Sequence, residues 1–153
     1  MLIRGSRNCM VRFMANGLGK VRHLALDMDG TIYSGGTLFP ETLPFLKSLD
    51  AMGIGHTFLT NNSSRSKSDY LQKLRKIGID AAPGQLYTST EATISYVKRV
   101  YPDVRRAFFL ATPSMISEME EAGFESTADS PEDEPQAVVA GFDTTLAYDR
   151  VCR

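Results

Sequence analysis

The segment VRHLALDMDGTI, from Val21 to Ile32, consists of a short apolar run, two aspartates separated by one residue, and a glycine. A short apolar run that ends at a turn-forming glycine predicts a buried strand, here residues 21–27. The two aspartates, Asp27 and Asp29, then lie at the carboxyl end of that strand. In open sheets of parallel strands, ligands bind at this end.

The rest of the chain alternates short apolar runs with helical periods, which predicts an α/β fold with a largely parallel sheet. Further strands are predicted at 56–60, 107–111 and 137–142, and helices at 41–52, 66–78, 90–100 and 113–123. Two helix starts have the spacing of a capping box, Ser66 with Asp69 and Thr88 with Glu91. Thr112 and Pro113 suit the N-cap and first position of the helix at 113–123. The buried, apolar face of the helix at 66–78 is predicted to consist of Tyr70, Leu74 and Ile77. The acidic stretch 125–135 predicts a surface loop, and a last helix is predicted to begin near Leu146.

Composition limits the classes of function. The 153 residues have a formal net charge of −1, which gives no electrostatic basis for binding nucleic acid. No apolar run approaches the ~20 residues that cross a bilayer. The two cysteines, Cys9 and Cys152, lack metal-ligand spacing. They could pair, but free thiols in a reducing compartment are the preferred interpretation, so a cytoplasmic protein with no membrane partner is predicted.

Residues 1–20 differ from the rest, because they contain four basic residues and no acidic one. We interpret them as a disordered N-terminal extension. An organelle-targeting segment is an alternative, since such segments are rich in arginine and poor in acids. A start codon placed too far upstream is another, since further methionines follow at positions 10 and 14.

The aspartate pair suits acid–base and nucleophilic chemistry. Two carboxylates this close raise the pKa of one, so that one is ionised while the other holds a proton. A nucleophile and its general acid need this division. If the strand continues to Asp29, both side chains point to one side, whereas a turn lets them diverge.

Several other classes share an Asp-x-Asp-Gly segment. It is also typical of an ordinary turn after a strand. A calcium-binding EF-hand is excluded, because its glycine stands at loop position 6 and Gly30 would stand at position 4. A receiver-type phosphoacceptor and the metal-binding aspartates of a sugar transferase stay open on this segment alone.

A second polar segment, Thr60-Asn61-Asn62-Ser63-Ser64, follows the second predicted strand and precedes a helix. Hydroxyls, amides and backbone N–H groups near a helix N-terminus suit the oxygens of a phosphate. Taken alone, the segment is more typical of an ordinary polar loop than of a phosphate site.

Together the two segments resemble the haloacid-dehalogenase superfamily. The run from Asp27 to Ile32 resembles its first motif, D-x-D-G-T-[IVL], and Phe58 to Ser63 resembles its second. The T-N-N-S wording, followed by Arg65 and a helix ending K-I-G-I, is similar to the subgroup of NagD-like and 4-nitrophenyl phosphatases. The resemblance implies a partial Rossmann-like, parallel-sheet core at 21–85 and part of an inserted α/β cap of the C2 type at 86–153.

The resemblance also implies an activity, namely a Mg²⁺-dependent phosphatase acting on a small phosphorylated metabolite. Asp27 would attack phosphorus to form an aspartyl-phosphate, and Asp29 would protonate the leaving group. The Asp27 side chain and the Asp29 backbone carbonyl would ligate Mg²⁺. The phosphate-binding residues implied are Thr60, Asn61, Asn62 and Gly30. A homodimer formed through the cap is implied as well.

The sequence departs from the family pattern downstream. Members also carry a lysine that offsets the charge of the nucleophile and an acidic G-D pair that completes the metal site. We interpret Lys67, Lys73, Lys76 and Lys98 as solvated surface charges, and 141–143 as the end of a cap strand. The sequence thus predicts a chain that stops inside the cap and has little or no turnover by itself. The rival hypothesis is a non-catalytic protein that keeps this fold as a binding module.

Overall fold

The computed structural model of the protein describes residues 18–128, 130 and 132–152. The predicted extension at 1–20 therefore lies almost entirely outside the described residues, as does Cys9. Leu18–Lys20 forms one turn of 3₁₀ helix before the first strand. Cys152 is exposed and forms no disulfide bond. None of the helices in the described ranges has the length and apolar character that a membrane crossing requires.

The described residues contain strands and helices that alternate along much of the chain. The strands are β1 (His23–Asp27), β2 (Tyr33–Ser34), β3 (Thr37–Leu38), β4 (Gly55–Thr60), β5 (Leu86–Thr88), β6 (Arg106–Leu110), β7 (Glu125–Ser126) and β8 (Ala137–Ala140). The helices are α1 (Thr42–Ala51), α2 (Lys67–Lys76), α3 (Ser89–Val100), α4 (Pro113–Glu121) and α5 (Tyr148–Val151). The predicted α/β class with parallel sheets is confirmed.

The first sheet has three parallel strands in the order β1-β4-β5. Asp27 pairs with Leu59, and Thr60 pairs with Thr88, so all three strands end at the same edge. The central strand β4 is buried at Phe58, which has no exposed surface. Leu49 of α1 and Leu74 of α2 pack into the same apolar cluster. This cluster fixes the edge at which the aspartates emerge.

The second sheet is also parallel, in the order β7-β6-β8. Its core consists of Ala107, Phe109, Met119 and Phe124, against which parts of α3 and α4 pack. β7 lies within the acidic stretch that the sequence predicted to be a loop. Two residues are too short a run for a period of two to be read from sequence.

Helix starts agree with the sequence. Ser66 and Asp69 form the predicted capping box at α2, and Thr88 and Glu91 form the one at α3. Thr112 caps α4 through the Met115 amide, as predicted. Because each cap satisfies backbone N–H groups that lack a partner inside the helix, these starts are determined locally.

Three elements were not foreseen at their observed place. The β2–β3 hairpin was not predicted, because its strands have two residues each. β5 pairs with β4 in the first sheet, although the sequence analysis assigned 86–153 to the cap. The last helix begins at Tyr148 and not near Leu146.

Candidate active site

Parallel pairing brings the two predicted motifs to one edge of the first sheet. Asp27 is the last residue of β1, and Thr60 is the last residue of β4, one position beyond the partner of Asp27. The Asp27 residue is exposed, whereas Thr60 is 7% exposed. A carboxylate open to solvent thus lies at the same sheet edge as a buried hydroxyl.

The chain turns directly after Asp27. Gly30 has a φ of +84°, in the left-handed region that favours glycine. The amides of Thr31, Ile32 and Tyr33 all donate to the carbonyl of Met28, at 2.8–3.3 Å. The strand therefore does not continue through Asp29. Of the two geometries that the sequence left open, the turn is the observed one.

The two carboxylates consequently have different partners. Thr31 Oγ1 donates to Asp27 Oδ2 at 3.3 Å, and Tyr33 Oη donates to Asp29 Oδ2 at 3.4 Å. Burial, and next the negative charge of Asp29, raises the pKa of Tyr33 well above its usual range. Tyr33 therefore stays a protonated donor at all physiological pH values.

Lys73 lies at this site, which makes the prediction of a solvated surface charge wrong. Its Nζ is 3.7 Å from Asp29 Oδ1 and 3.8 Å from the centroid of the Tyr33 ring. The side chain of Lys73 is 22% exposed. It lies three residues after Tyr70 on α2, so both face the same side of the helix. The sequence analysis gave this face to apolar residues alone.

Lys67 is likewise not a solvated charge. Its Nζ forms an ion pair with Glu91 Oε1 at 2.6 Å, and both side chains are about three-quarters buried. The pair joins the start of α2 to α3. Lys67 therefore has a structural partner and is not available to the aspartates.

The loop of residues Asn61–Ser64 is held by bonds within itself and by the core. The Asn62 amide donates to Thr60 Oγ1 at 3.2 Å, and the Ser64 amide donates to Asn62 Oδ1 at 3.0 Å. From below, Tyr70 Oη donates to the Asn62 carbonyl at 2.9 Å. Burial raises the pKa of Tyr70, so this phenol also stays a donor. The loop is thus a shaped segment at the sheet edge.

The N-terminus of α2, expected beside this loop, already has partners for its backbone. The Ser66 amide donates to Asp69 Oδ2 at 3.1 Å and to Ser114 Oγ at 3.1 Å. Ser114 also donates to Asp69, and this bond is the main reason that the pKa of Asp69 is lowered. Anion donors must therefore come from the loop, and not from this helix end.

The second sheet contacts the same loop. Thr112 Oγ1 donates to the Ser64 carbonyl at 3.1 Å, and the Phe142 amide donates to Ser63 Oγ at 2.7 Å. Thr112 follows β6 and Phe142 follows β8, so the carboxyl end of the second sheet faces the carboxyl end of the first. The candidate site thus lies near the contact between the two sheets.

Oxygen ligands for a metal are few at this edge. In the part of the chain that the structure describes, no three His, Cys, Asp or Glu side chains are grouped so as to hold a metal ion. The Asp27 carboxylate is exposed, and within the described ranges no backbone amide donates to the Asp29 carbonyl, because the amides that follow it in the turn bond to the Met28 carbonyl. Two hard oxygen donors of this kind suit Mg²⁺, which commonly binds through one or two protein carboxylates, several waters and substrate phosphate.

Sequence reasoning missed four residues at the site: Thr31, Tyr33, Tyr70 and Lys73. A signal existed for two of them, because Thr31 and Tyr33 lie within four residues of an aspartate. Tyr70 was correctly predicted to be buried, but its hydroxyl was not considered as a donor. Lys73 required knowledge of how α2 lies across the sheet edge.

Comparison with known protein families identifies one match. Residues 24–125 match the model of the haloacid dehalogenase-like hydrolases. An acid sugar phosphatase from Staphylococcus aureus (strain USA300) is 31% identical over 126 residues, which cover 82% of this chain and 47% of that protein. The chain therefore spans about half the length of this curated relative.

Solved structures have the same fold. A 4-nitrophenylphosphatase from Thermotoga maritima superposes with a TM-score of 0.79 at 37% identity, covering 88% of this chain and 50% of that one. A glycerol phosphate phosphatase from Mycobacterium tuberculosis, solved in complex with magnesium, has a TM-score of 0.75. Its identity is 24%, over 87% of this chain and 40% of that one, so it shows the fold alone. The family match, the acid sugar phosphatase and the 4-nitrophenylphosphatase favour the phosphatase interpretation of the motifs over a receiver domain or a sugar transferase.

Proposed function

The chain belongs to the haloacid dehalogenase-like hydrolase family, and on that premise we propose that it supplies the nucleophile and the general acid of a Mg²⁺-dependent phosphatase. One observation carries the proposal. Asp27 and Asp29 follow β1 at the edge where the Asn61–Ser64 loop follows β4. The proposed substrate is a small phosphomonoester, in line with the names of the phosphatases that the chain resembles.

In the proposed first step, the exposed Asp27 carboxylate attacks phosphorus and the bond to the leaving oxygen breaks. Asp29, which must take up a proton before this step, gives it to that oxygen, so the alcohol leaves neutral and Asp27 carries an acyl phosphate. In the second step Asp29 takes a proton from water, which attacks the phosphorus and releases inorganic phosphate. The bond between phosphorus and the Asp27 oxygen breaks in the second step, so the two steps together return both aspartates to their starting state.

Positioning and charge neutralisation do most of the work in phosphoryl transfer. Thr31 holds one oxygen of Asp27, which leaves the other free to attack. The Thr60 hydroxyl and the Asn61 amide are the proposed donors to phosphate oxygens, with Asn62 fixing the loop. The Gly30 amide already donates to the Tyr33 carbonyl at 2.8 Å, so Gly30 contributes the turn that borders the phosphate position. Lys73 adds a positive charge beside Asp29 and so reduces repulsion of the incoming anion.

Mg²⁺ is the proposed cofactor, with the Asp27 carboxylate and the Asp29 carbonyl as its ligands from this chain. When bound, the ion neutralises phosphate oxygens. The proposal is supported by the hard oxygen character of both donors and by the open Asp29 carbonyl. The magnesium complex of the glycerol phosphate phosphatase with the same fold adds support.

The wider organisation is proposed from sequence. We propose a partial core at 21–85, whose sheet β5 extends by one strand, and a partial cap in the rest of 86–153, with the cap as the surface of a homodimer. A cytoplasmic location and the absence of nucleic-acid partners are also proposed, on the basis of the composition and the net charge of −1. Since the family lysine and acidic pair have no counterpart in the sequence, turnover by these residues alone is proposed to be slow.

Two readouts on the purified 153-residue chain test the proposal. One is Mg²⁺-dependent hydrolysis of 4-nitrophenyl phosphate. The other is Mg²⁺-dependent binding of beryllium fluoride, which mimics an aspartyl-phosphate and does not need full turnover. We expect slow turnover and measurable binding. Asp27→Asn should lower turnover by at least about 100-fold and abolish binding, because a carboxamide is not a nucleophile.

Asp50→Asn, at an exposed aspartate of α1, is the matched control and should change neither readout. Turnover or binding that survives Asp27→Asn would refute the assignment of the nucleophile. Full activity in excess EDTA would refute the role of the metal. A folded chain that shows neither readout would support the rival hypothesis of a non-catalytic binding module.

A further inference from the structure

A groove of about 780 Å³ lies between the β2–β3 hairpin and α2. Its hairpin side is formed by Gly35 and Gly36, and a Cβ added at either glycine would meet nothing within 4 Å. The groove is therefore open at the hairpin turn. Its volume is in the range that holds a small metabolite.

The groove reaches the candidate active site at its inner end. Asn62, from the loop after β4, is one of its lining residues. Lys73 is another, and its Nζ is 3.7 Å from Asp29 Oδ1. A molecule whose phosphate binds at Asp27 and Thr60 therefore has this groove as a place for its other end.

One stripe of α2 forms the opposite wall. Asp69, Lys73 and Lys76 are separated by four and three residues, which places them on the same helix face. Arg65 lines the groove just before the helix begins. From Lys73 to Lys76 the helix rises about 4.5 Å, so the cations extend away from Asp29.

The charge of this wall is positive. Three cations, Arg65, Lys73 and Lys76, face one carboxylate, Asp69. That carboxylate accepts hydrogen bonds from Ser66 and from Ser114. Lys73 is paired with Asp29, but neither Arg65 nor Lys76 belongs to any ion pair between described residues. Both are exposed and can approach a ligand anion.

We propose that this groove binds a second anionic group of the substrate, which is then a phosphomonoester that also carries a carboxylate or a second phosphate. The inference rests on the proposed function, because the first phosphate must bind at the aspartates. Arginine and lysine are the side chains that recognise carboxylates and phosphates, and Arg65 can do so through two parallel hydrogen bonds.

The test compares pairs of ligands that differ in one distal acidic group. Dissociation constants are measured by calorimetry with Mg²⁺ present. One pair is 6-phosphogluconate against glucose 6-phosphate, which tests a carboxylate. The other is fructose 1,6-bisphosphate against fructose 6-phosphate, which tests a second phosphate. We expect the member with the distal acidic group to bind about fivefold or more tightly in at least one pair, the effect of one ion pair of about 1 kcal/mol.

Charge-removing variants distinguish binding in the groove from a general electrostatic attraction between the chain and an anionic ligand. Lys76→Gln and Arg65→Gln should each reduce the preference for the distal acid by at least about twofold, and the double variant should abolish it. Lys47→Gln, at an exposed lysine of α1 outside the groove, makes the same charge change and should leave the preference intact.

The possible outcomes show separately whether the groove proposal fails and whether the phosphatase proposal fails. Equal affinities within both pairs, or a preference that Lys47→Gln reduces as much as Lys76→Gln does, would overturn the groove assignment while leaving the phosphatase proposal standing. Absence of binding by all four ligands, together with no loss of beryllium fluoride binding in Asp27→Asn, would overturn the phosphatase proposal and the inference with it.

Discussion

Replacing Tyr70 by phenylalanine tests whether the Asn61–Ser64 loop is held in place from the core beneath it. The hydroxyl of Tyr70 donates to the Asn62 carbonyl at 2.9 Å, and the residue is 1% exposed. Phenylalanine keeps the ring and its packing, so no cavity forms. The change removes the hydrogen bond to the Asn62 carbonyl, which loses its donor, and the interaction of the phenol with the Thr60 hydroxyl.

The expected cost follows from that bond. A neutral hydrogen bond contributes about 0.5–1.5 kcal/mol net to stability. The Asn62 residue is exposed, so water can replace the lost donor and the cost of a buried unpaired carbonyl does not apply in full. We therefore expect Tyr70→Phe to lower the free energy of unfolding by about 1 kcal/mol.

Urea unfolding measures the stability change, and amide hydrogen exchange measures the loop. The Asn62 amide donates to Thr60 Oγ1, and the Ser64 amide donates to Asn62 Oδ1. Both should exchange faster in Tyr70→Phe, because the carbonyl that anchors the loop is released. Tyr96→Phe is the control, since Tyr96 is 49% exposed on α3 and its loss should cost under about 0.5 kcal/mol.

The reasoning would be refuted if Tyr70→Phe and Tyr96→Phe had the same free energy of unfolding. It would also be refuted if the two loop amides kept their exchange rates while stability fell. The first result would mean that the hydroxyl contributes nothing. The second would mean that it stabilises the core without positioning the loop.

Three further predictions concern the core, pH and the site lysine. Phe58→Ala should cost about 3–5 kcal/mol in urea unfolding because it empties the first core, whereas Phe142→Ala, at a phenylalanine 63% exposed, should cost under about 0.5 kcal/mol. The hydrogen bond from Ser114 lowers the pKa of Asp69 in the folded chain. The ionised Asp69 therefore stabilises the fold fully above the ordinary aspartate pKa of about 4, and this stabilisation is lost as the pH falls through the lowered pKa. Ser114→Ala should weaken that pH dependence in urea titrations between pH 6 and pH 2, and an unchanged profile would contradict the assignment. Lys73→Met keeps the apolar stem but removes the charge near Asp29 and the Tyr33 ring, so it should lower the free energy of unfolding by about 1 kcal/mol or less. Urea unfolding in about 1 M salt should show a smaller difference, because salt screens the electrostatic part.

Local signals were sufficient for much of the fold. β1 and β4 were predicted from short apolar runs, and their parallel pairing followed from the alternation of strands and helices. The caps at Ser66, Thr88 and Thr112 were predicted because each depends on residues three positions apart. The sequence was insufficient for β5 and the β2–β3 hairpin. Strands of two or three residues carry no readable period, and pairing with a neighbour creates them.

The sequence by itself determined that Asp27 and Asp29 follow a buried strand and that Thr60 to Ser64 follows another. Both facts depend on neighbours along the chain. Only the tertiary structure decided which partners each carboxylate has, because the turn at Gly30 separates the aspartates and α2 crosses the sheet edge. Lys73 shows this most clearly. Its sequence neighbours predict a solvated charge, but the packing of Tyr70 and Leu74 against the first sheet brings its ammonium group to Asp29.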